Sequence, residues 1–238
     1  MSAVSHLAAL CLMLCCAAVP ASAAVRTLGS YTGVMTTIAR TQADEGRRAE
    51  QAGDLAGAAQ AYTAAIERLE PYTRRDDDPP SWDLYLVLGS AHLDRARVRA
   101  QAQMPGETRA GSIAGNAAVD DDLRRAEQYL ERAAALRPRR QGDASFALDL
   151  NLGIANGLQG RFGEGRKHLE RAAAGDTRGI DVKPLIAEMR QAEKARADKA
   201  EQKAKAWRSV FVAIGNFISP KGTSLLFALY DLGTLYRQ

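Results

Sequence analysis

Between Gly53 and Pro71 small and large apolar residues recur at intervals of three and four: Ala58, Tyr62 and Ala65, with Pro71 to stop the run. The order returns at Ala126, Leu130, Ala133 and Pro138, and a third time from Gly160 and Phe162 through Leu169 to Ala172. Such spacing predicts amphipathic helices whose small residues let a neighbouring helix approach closely. Each copy follows another helical stretch. Tyr85 to His92 and Asp149 to Asn156 share a Leu-Gly pair (Leu88-Gly89 and Leu152-Gly153), and Asp44 to Ala49 carries a weaker version at Gly46. A glycine inside a helix costs about 1 kcal/mol relative to alanine, so its return at matching positions implies a packing role.

Two interruptions make the array irregular. Residues 103–119, with Pro105-Gly106 and Ala110-Gly111-Ser112, are expected as a loop insertion between the helices of the central copy. Tyr72 to Pro80 forms a charged connection that ends at Ser81, an N-cap for the helix opening at Trp82. Beyond Thr177, Asp181 and Pro184 open a long helix through about Ala206, read as a polar capping helix over 178–206. An apolar hairpin over 207–238 follows. Trp207, Val210, Phe211, Ile214, Phe217 and Ile218 form one helical stripe, Pro220-Lys221-Gly222 breaks it, and Leu225, Leu226, Leu229, Leu232 and Tyr236 form a second. Burying several hundred Å² of such surface is worth on the order of 10 kcal/mol. Three destinations stay open: folding back onto the repeats, a homodimer or partner-docking surface, or peripheral contact with a membrane. The surface in question comprises Trp207, Val210, Phe211, Ile214, Phe217, Ile218, Leu225 and Leu229.

The chain resembles the tetratricopeptide repeat family. The matching residues are Gly46, Ala58, Tyr62, Ala65 and Pro71; Leu88, Gly89, Ala126, Leu130, Ala133 and Pro138; and Leu152, Gly153, Gly160, Phe162, Leu169 and Ala172. The resemblance implies an all-α fold, a short right-handed α-solenoid of about three helix pairs with additional C-terminal helices. The repeats fall at roughly 39–71, 82–138 and 146–177, within a repeat domain of 24–177. It also implies a concave groove lined by the first helix of each pair. Carried over by position, that groove comprises Arg40, Arg47, Glu50 and Gln51, then Asp83, Leu86, Ser90, Leu93 and Asp94, then Leu150, Ile154 and Leu158. Its lining changes from charged to apolar, which suits an extended peptide or helix.

Composition sharpens the picture at the two ends. Residues 1–23 contain no Lys, Arg, Asp or Glu, and an apolar run from Leu7 to Val19 leads through Pro20 to Ala21-Ser22-Ala23. This order predicts a secretory signal peptide cleaved before Ala24; the run is shorter than the roughly 20 residues of a membrane span. Cleavage leaves 238 − 23 = 215 residues and removes Cys11, Cys15 and Cys16, so disulfides and thiolate chemistry are excluded from the remainder. An exported, cysteine-free, Ala- and Arg-rich chain is expected in the periplasm of a bacterium. Hydrophobic residues at 46% exclude wholesale disorder, and aromatics at 6% speak against a β-sandwich.

No catalytic, metal or cofactor-binding residues are predicted. His92 and His168 are the only histidines of the mature chain and do not make a zinc set. Asp76-Asp77-Asp78 and Asp120-Asp121-Asp122 lack the alternation of a calcium loop and are expected to cap helices. The net charge of +4 is mixed along the chain, so nucleic acid is not an expected partner. The expectation is therefore a non-enzymatic periplasmic scaffold that binds another envelope protein or peptide, with peripheral membrane attachment as the alternative.

Overall fold

The computed structural model describes residues 31–74, 80–102, 116–136, 142–175, 180–195, 209–210 and 214. They contain seven α-helices and no strand. These are α1 (Tyr31–Gln51), α2 (Leu55–Leu69), α3 (Trp82–Ala102), α4 (Ala117–Leu136), α5 (Gly142–Leu158), α6 (Phe162–Ala174) and α7 (Lys183–Ala195). The predicted signal peptide lies outside the described residues.

Two of the three predicted pairs are joined by the same turn. Gly53 has φ +81° and Gly160 has φ +74°, left-handed values that disfavour any residue with a Cβ. Around each, the last carbonyls of the preceding helix are satisfied in the same way. Gly53 N–H donates to Glu50 O and Asp54 N–H to Ala49 O, both at 2.9 Å; Gly160 N–H donates to Gly157 O and Arg161 N–H to Asn156 O, again at 2.9 Å. Asp54 then caps α2 through its carboxylate, which accepts from Gly57 N–H at 2.8 Å. The connection of the central pair, 103–115, lies outside the described residues.

The three pairs also share one contact. A Cβ added at Gly46 would stand 2.8 Å from the Tyr62 ring, one at Gly89 2.8 Å from Leu130 Cγ, and one at Gly153 2.7 Å from Leu169 Cγ. At the last two, a backbone carbonyl also stands only 3.1 Å away, Ala126 O and Gly165 O respectively. Thus the first helix of every pair presents bare backbone to the large residue of the second, which is why the glycines recur.

Helices α1, α3 and α5 lie side by side, and α2, α4 and α6 each pack on the first helices that flank them in sequence. The second helices bury a single stripe, such as Phe162, Gly165, Leu169 and Ala172 on α6. By contrast, 15 of the 21 residues of α3 are buried, which marks a helix enclosed on all sides. On α5, every residue from Asn151 to Leu158 is likewise buried. Val182 and, on α7, Leu185, Met189 and Ala192 form a buried stripe, and α7 packs on α6.

Two boundaries differ from expectation. Helix α1 begins at Tyr31 rather than near 39, because Thr32 and Thr36 continue the buried stripe of Ala39, Ala43 and Gly46. Helix α4 begins at Ala117, inside the expected insertion, because Asn116 Oδ1 accepts from Ala118 N–H at 2.9 Å and Val119 is in the core. Helix α7 is described only to Ala195, so 196–208 lies outside the described residues. Ser81 does cap α3, its Oγ accepting from Leu84 N–H at 3.2 Å.

If the close approach sets the pairing, Gly153→Ala should destabilise by about 1–3 kcal/mol although alanine favours helix. Leu169→Ala in the same chain should recover part of that loss, as measured by urea denaturation of the four members of a double-mutant cycle.

Candidate functional site

The face shared by α1, α3 and α5 is organised by ionic groups at its α1 end. Arg97 of α3 reaches across to α1 and clasps the Glu50 carboxylate with both terminal nitrogens, Nη2 donating to Oε2 at 2.6 Å. It also donates to Asp94, one turn earlier, at 3.4 Å. Farther along, Arg40 of α1 pairs with Asp83 of α3, and Arg47 pairs with Asp44 within α1. Toward the other side, Asn151 Nδ2 of α5 donates to Ser90 Oγ at 2.9 Å, and Ser90 donates to Leu86 O at 2.8 Å.

Burial sets the electrostatics here. Asp94 is 2% exposed, and burial pushes its carboxyl above the ordinary carboxylate range while the Arg97 guanidinium pulls the other way. Burial also disfavours charge on Arg97, but hydrogen bonding and attraction to Glu50 and Asp94 outweigh it and keep the guanidinium protonated. Tyr62 sits against Gly46 and is buried beside this group, which raises its phenol well above the usual value.

A second ionic hub occupies the opposite side of α3. Arg95 and Arg97 are two residues apart, hence about 200° around the helix, so they address different neighbours. Arg95 meets Asp122 of α4 twice, Nε donating to Oδ2 at 3.1 Å and Nη2 to Oδ1 at 2.5 Å. Arg99 adds Nη1 to Oδ2 at 2.7 Å, and His92 donates from Nδ1 to Oδ1 at 3.0 Å. Burial opposes the charge on Asp122, but the hydrogen bonds from His92 and Arg95 hold its carboxyl below the ordinary range. Asp149 of α5 repeats the motif on a smaller scale with His168 Nδ1 at 3.0 Å and Arg171 Nε at 3.1 Å. Those side chains line an open concavity of about 470 Å³ with Ser145, Leu148 and Leu152.

The structure places Arg40, Arg47 and Glu50 on α1 and Asp83, Ser90 and Asp94 on α3, and engages them with one another or with neighbouring groups. Gln51 is exposed at the end of α1. The apolar end requires correction. Leu86, Leu93, Leu150, Ile154 and Leu158 are core residues, none more than 5% exposed, and so do not form an open apolar lining. Gly157 lies on the same stripe of α5 as Leu150 and Ile154, and a Cβ there would lie 3.6 Å from Val210 Cγ1 and against Met189. Val210 and Ile214 are themselves buried, so they belong to the core rather than to an exposed docking or membrane surface. Trp207, Phe211, Phe217, Ile218, Leu225 and Leu229 lie outside the described residues, as does most of the predicted 207–238 hairpin.

The sequence reading gives Asp122 a helix-capping role, whereas in the structure it is buried. Asp122 falls in phase with Val119, Ala126, Tyr129 and Ala133, the buried stripe of α4, and that phase distinguishes it from Asp120 and Asp121. Among the described residues, no group of three or more His, Asp or Glu side chains is placed to hold a metal ion, and no helix is long and apolar enough to cross a membrane. Comparison with protein-family models, curated proteins and solved structures finds no significant match to this chain.

Asp122 and Asp94 should respond unequally to substitution. Asp122→Asn strands a buried histidine and two arginines and should cost about 3–5 kcal/mol at pH 7, whereas Asp94→Asn, with Glu50 still holding Arg97, should cost less than about 1 kcal/mol. The folded-state pKa of Asp122 is depressed, so its stabilisation is present above the unfolded carboxylate value of about 4 and is lost as pH falls through the folded value. Urea titrations between pH 2 and 7 should therefore show a shallower acid loss in Asp122→Asn than in the parent chain.

Proposed function

We propose that this chain is a non-enzymatic helical-repeat adaptor of tetratricopeptide type, exported to the periplasm of a bacterium. It would hold a protein or peptide of the cell envelope against the face shared by α1, α3 and α5. The observation that carries this reading is the glycine contact repeated at Gly46–Tyr62, Gly89–Leu130 and Gly153–Leu169. These are equivalent positions of the repeat pattern, and the identical turns at Gly53 and Gly160 support the same pairing. Side-by-side first helices with second helices packed on them are the arrangement expected of a short solenoid, in which neighbouring repeats present one continuous surface. The leader-like residues 1–23 and the absence of cysteine from the rest support export.

At the α1 edge, the partly exposed Arg40–Asp83 and Asp44–Arg47 pairs offer charged contacts, and Gln51 is exposed at the end of the same helix. Such rim charges contribute mainly to orientation and association rate. Attachment to lipid through the C-terminal stripe is less well supported, since Val210 and Ile214 are interior.

A photoreactive residue placed at Gln51, in whole cells of the native host, should give a discrete protein adduct. The same residue at Glu131, exposed on α4, should not. Equal labelling from both positions, or adducts with lipid alone, would sink the adaptor reading.

A further inference from the structure

We propose that Asp94 is a neutral carboxylic acid in the folded chain, and that its proton makes the seam between α1 and α3 a clasp that tightens in mild acid and loosens as pH rises. The device belongs to the fold and does not depend on the adaptor reading.

The charges at this seam do not balance. Glu50 and Asp94 share one guanidinium, that of Arg97, and the three side chains are 15%, 2% and 4% exposed respectively. Arg97 gives both terminal nitrogens to Glu50 and reaches Asp94 Oδ1 only at 3.4 Å. A charge-assisted pair of this type closes to about 2.7–2.9 Å, so Asp94 is the weaker claimant. Its Oδ2 is buried and makes no hydrogen bond within the protein. The other groups that face it add no cation of their own to the pair. Arg47 of α1 is paired with Asp44, and Tyr62 of α2 brings a neutral phenol. An ionised Asp94 would hold one long hydrogen bond and almost no solvent, whereas the neutral acid escapes most of that desolvation and gains an O–H to donate.

Asp122 shows the opposite outcome at equal depth. It is 1% exposed, yet Arg95, Arg99 and His92 all donate to it at 2.5–3.1 Å, and they hold its carboxyl below the ordinary range. The two aspartates differ because one has two arginines and a histidine, and the other a share of one arginine. Unfolding returns Asp94 to an ordinary carboxylate value of about 4, and burial raises the folded value above that. Its stabilisation is therefore complete below about pH 4 and is lost as pH rises through the folded value, the reverse of Asp122. The loss falls on the seam, because ionised Asp94 on α3 opposes Glu50 on α1.

Carbon-13 NMR of the Asp94 carboxyl in the full chain tests the protonation state. Its resonance should titrate with a midpoint above the ordinary value of about 4, and Glu50→Gln, which leaves Arg97 to Asp94 alone, should lower that midpoint. A wild-type midpoint at or below the ordinary value overturns the proposal, as does a midpoint indifferent to Glu50→Gln in a folded variant. If circular dichroism shows that variant unfolded, the wild-type titration decides. Hydrogen exchange tests the seam. Corrected for intrinsic exchange chemistry, protection of α1 relative to α6 should fall at least tenfold between about pH 5 and pH 8, and Asp94→Asn should remove that dependence. An equal change in both helices, or an unaltered change in Asp94→Asn, overturns the clasp.

Discussion

The distance between paired helices is set by a side chain that is absent. At Gly46, Gly89 and Gly153 the second helix sits so close that a single Cβ would overlap Tyr62, Leu130 or Leu169. Everything else in the molecule follows from holding that distance. Close approach lets one large residue per pair cover the neighbouring backbone, and it leaves the glycine's intrinsic helix cost of about 1 kcal/mol to be offset by packing. It also brings the first helices near enough to touch, so that α3 is enclosed on all sides rather than amphipathic.

Enclosure creates a problem that the ionic groups solve. A central helix with Asp94, Arg95, Arg97 and His92 among its residues must satisfy each inside the protein. The helical period sends Arg97 toward Glu50 on one neighbour and Arg95 toward Asp122 on another. Buried pairs of this kind rarely add much net stability over apolar packing, but removing one partner is costly. Their effect is therefore on register: α3 seats against α1 and α4 in the one rotation that pairs every charge. The acidic triplet of α4 supplies only its middle-facing member, Asp122, to that purpose.

The same economy of backbone contact shapes the functional proposal. Glycine at 153, 157 and 165 lets α5 and α6 meet backbone to backbone and admits Met189 of α7 beside them.

Much of the fold was legible before any coordinates. Ala58–Tyr62–Ala65, Ala126–Leu130–Ala133 and Gly165–Leu169–Ala172 announce second helices because a 3.6-residue period admits few alternatives, and Gly53 and Gly160 mark turns that need left-handed backbone. Helix starts at Tyr31 and Ala117 were less legible, because Thr32, Thr36 and Asn116 act through burial and capping rather than through periodicity. The candidate site was readable by position but not by state. The resemblance to the repeat family put Arg40, Glu50, Asp83 and Asp94 on one face, yet could not say that these charges would meet Arg97 or one another. Nor could it say that Leu86, Leu93 and Ile154 would be covered, since exposure depends on which distant segment arrives. Local sequence determined the helices, their pairing and the glycines that permit it, because those depend on residues a few turns apart. Only tertiary structure decided that Val210 lies against Gly157 and that Asp122 is buried among arginines, because both are contacts across long stretches of chain, specified by shape and charge together.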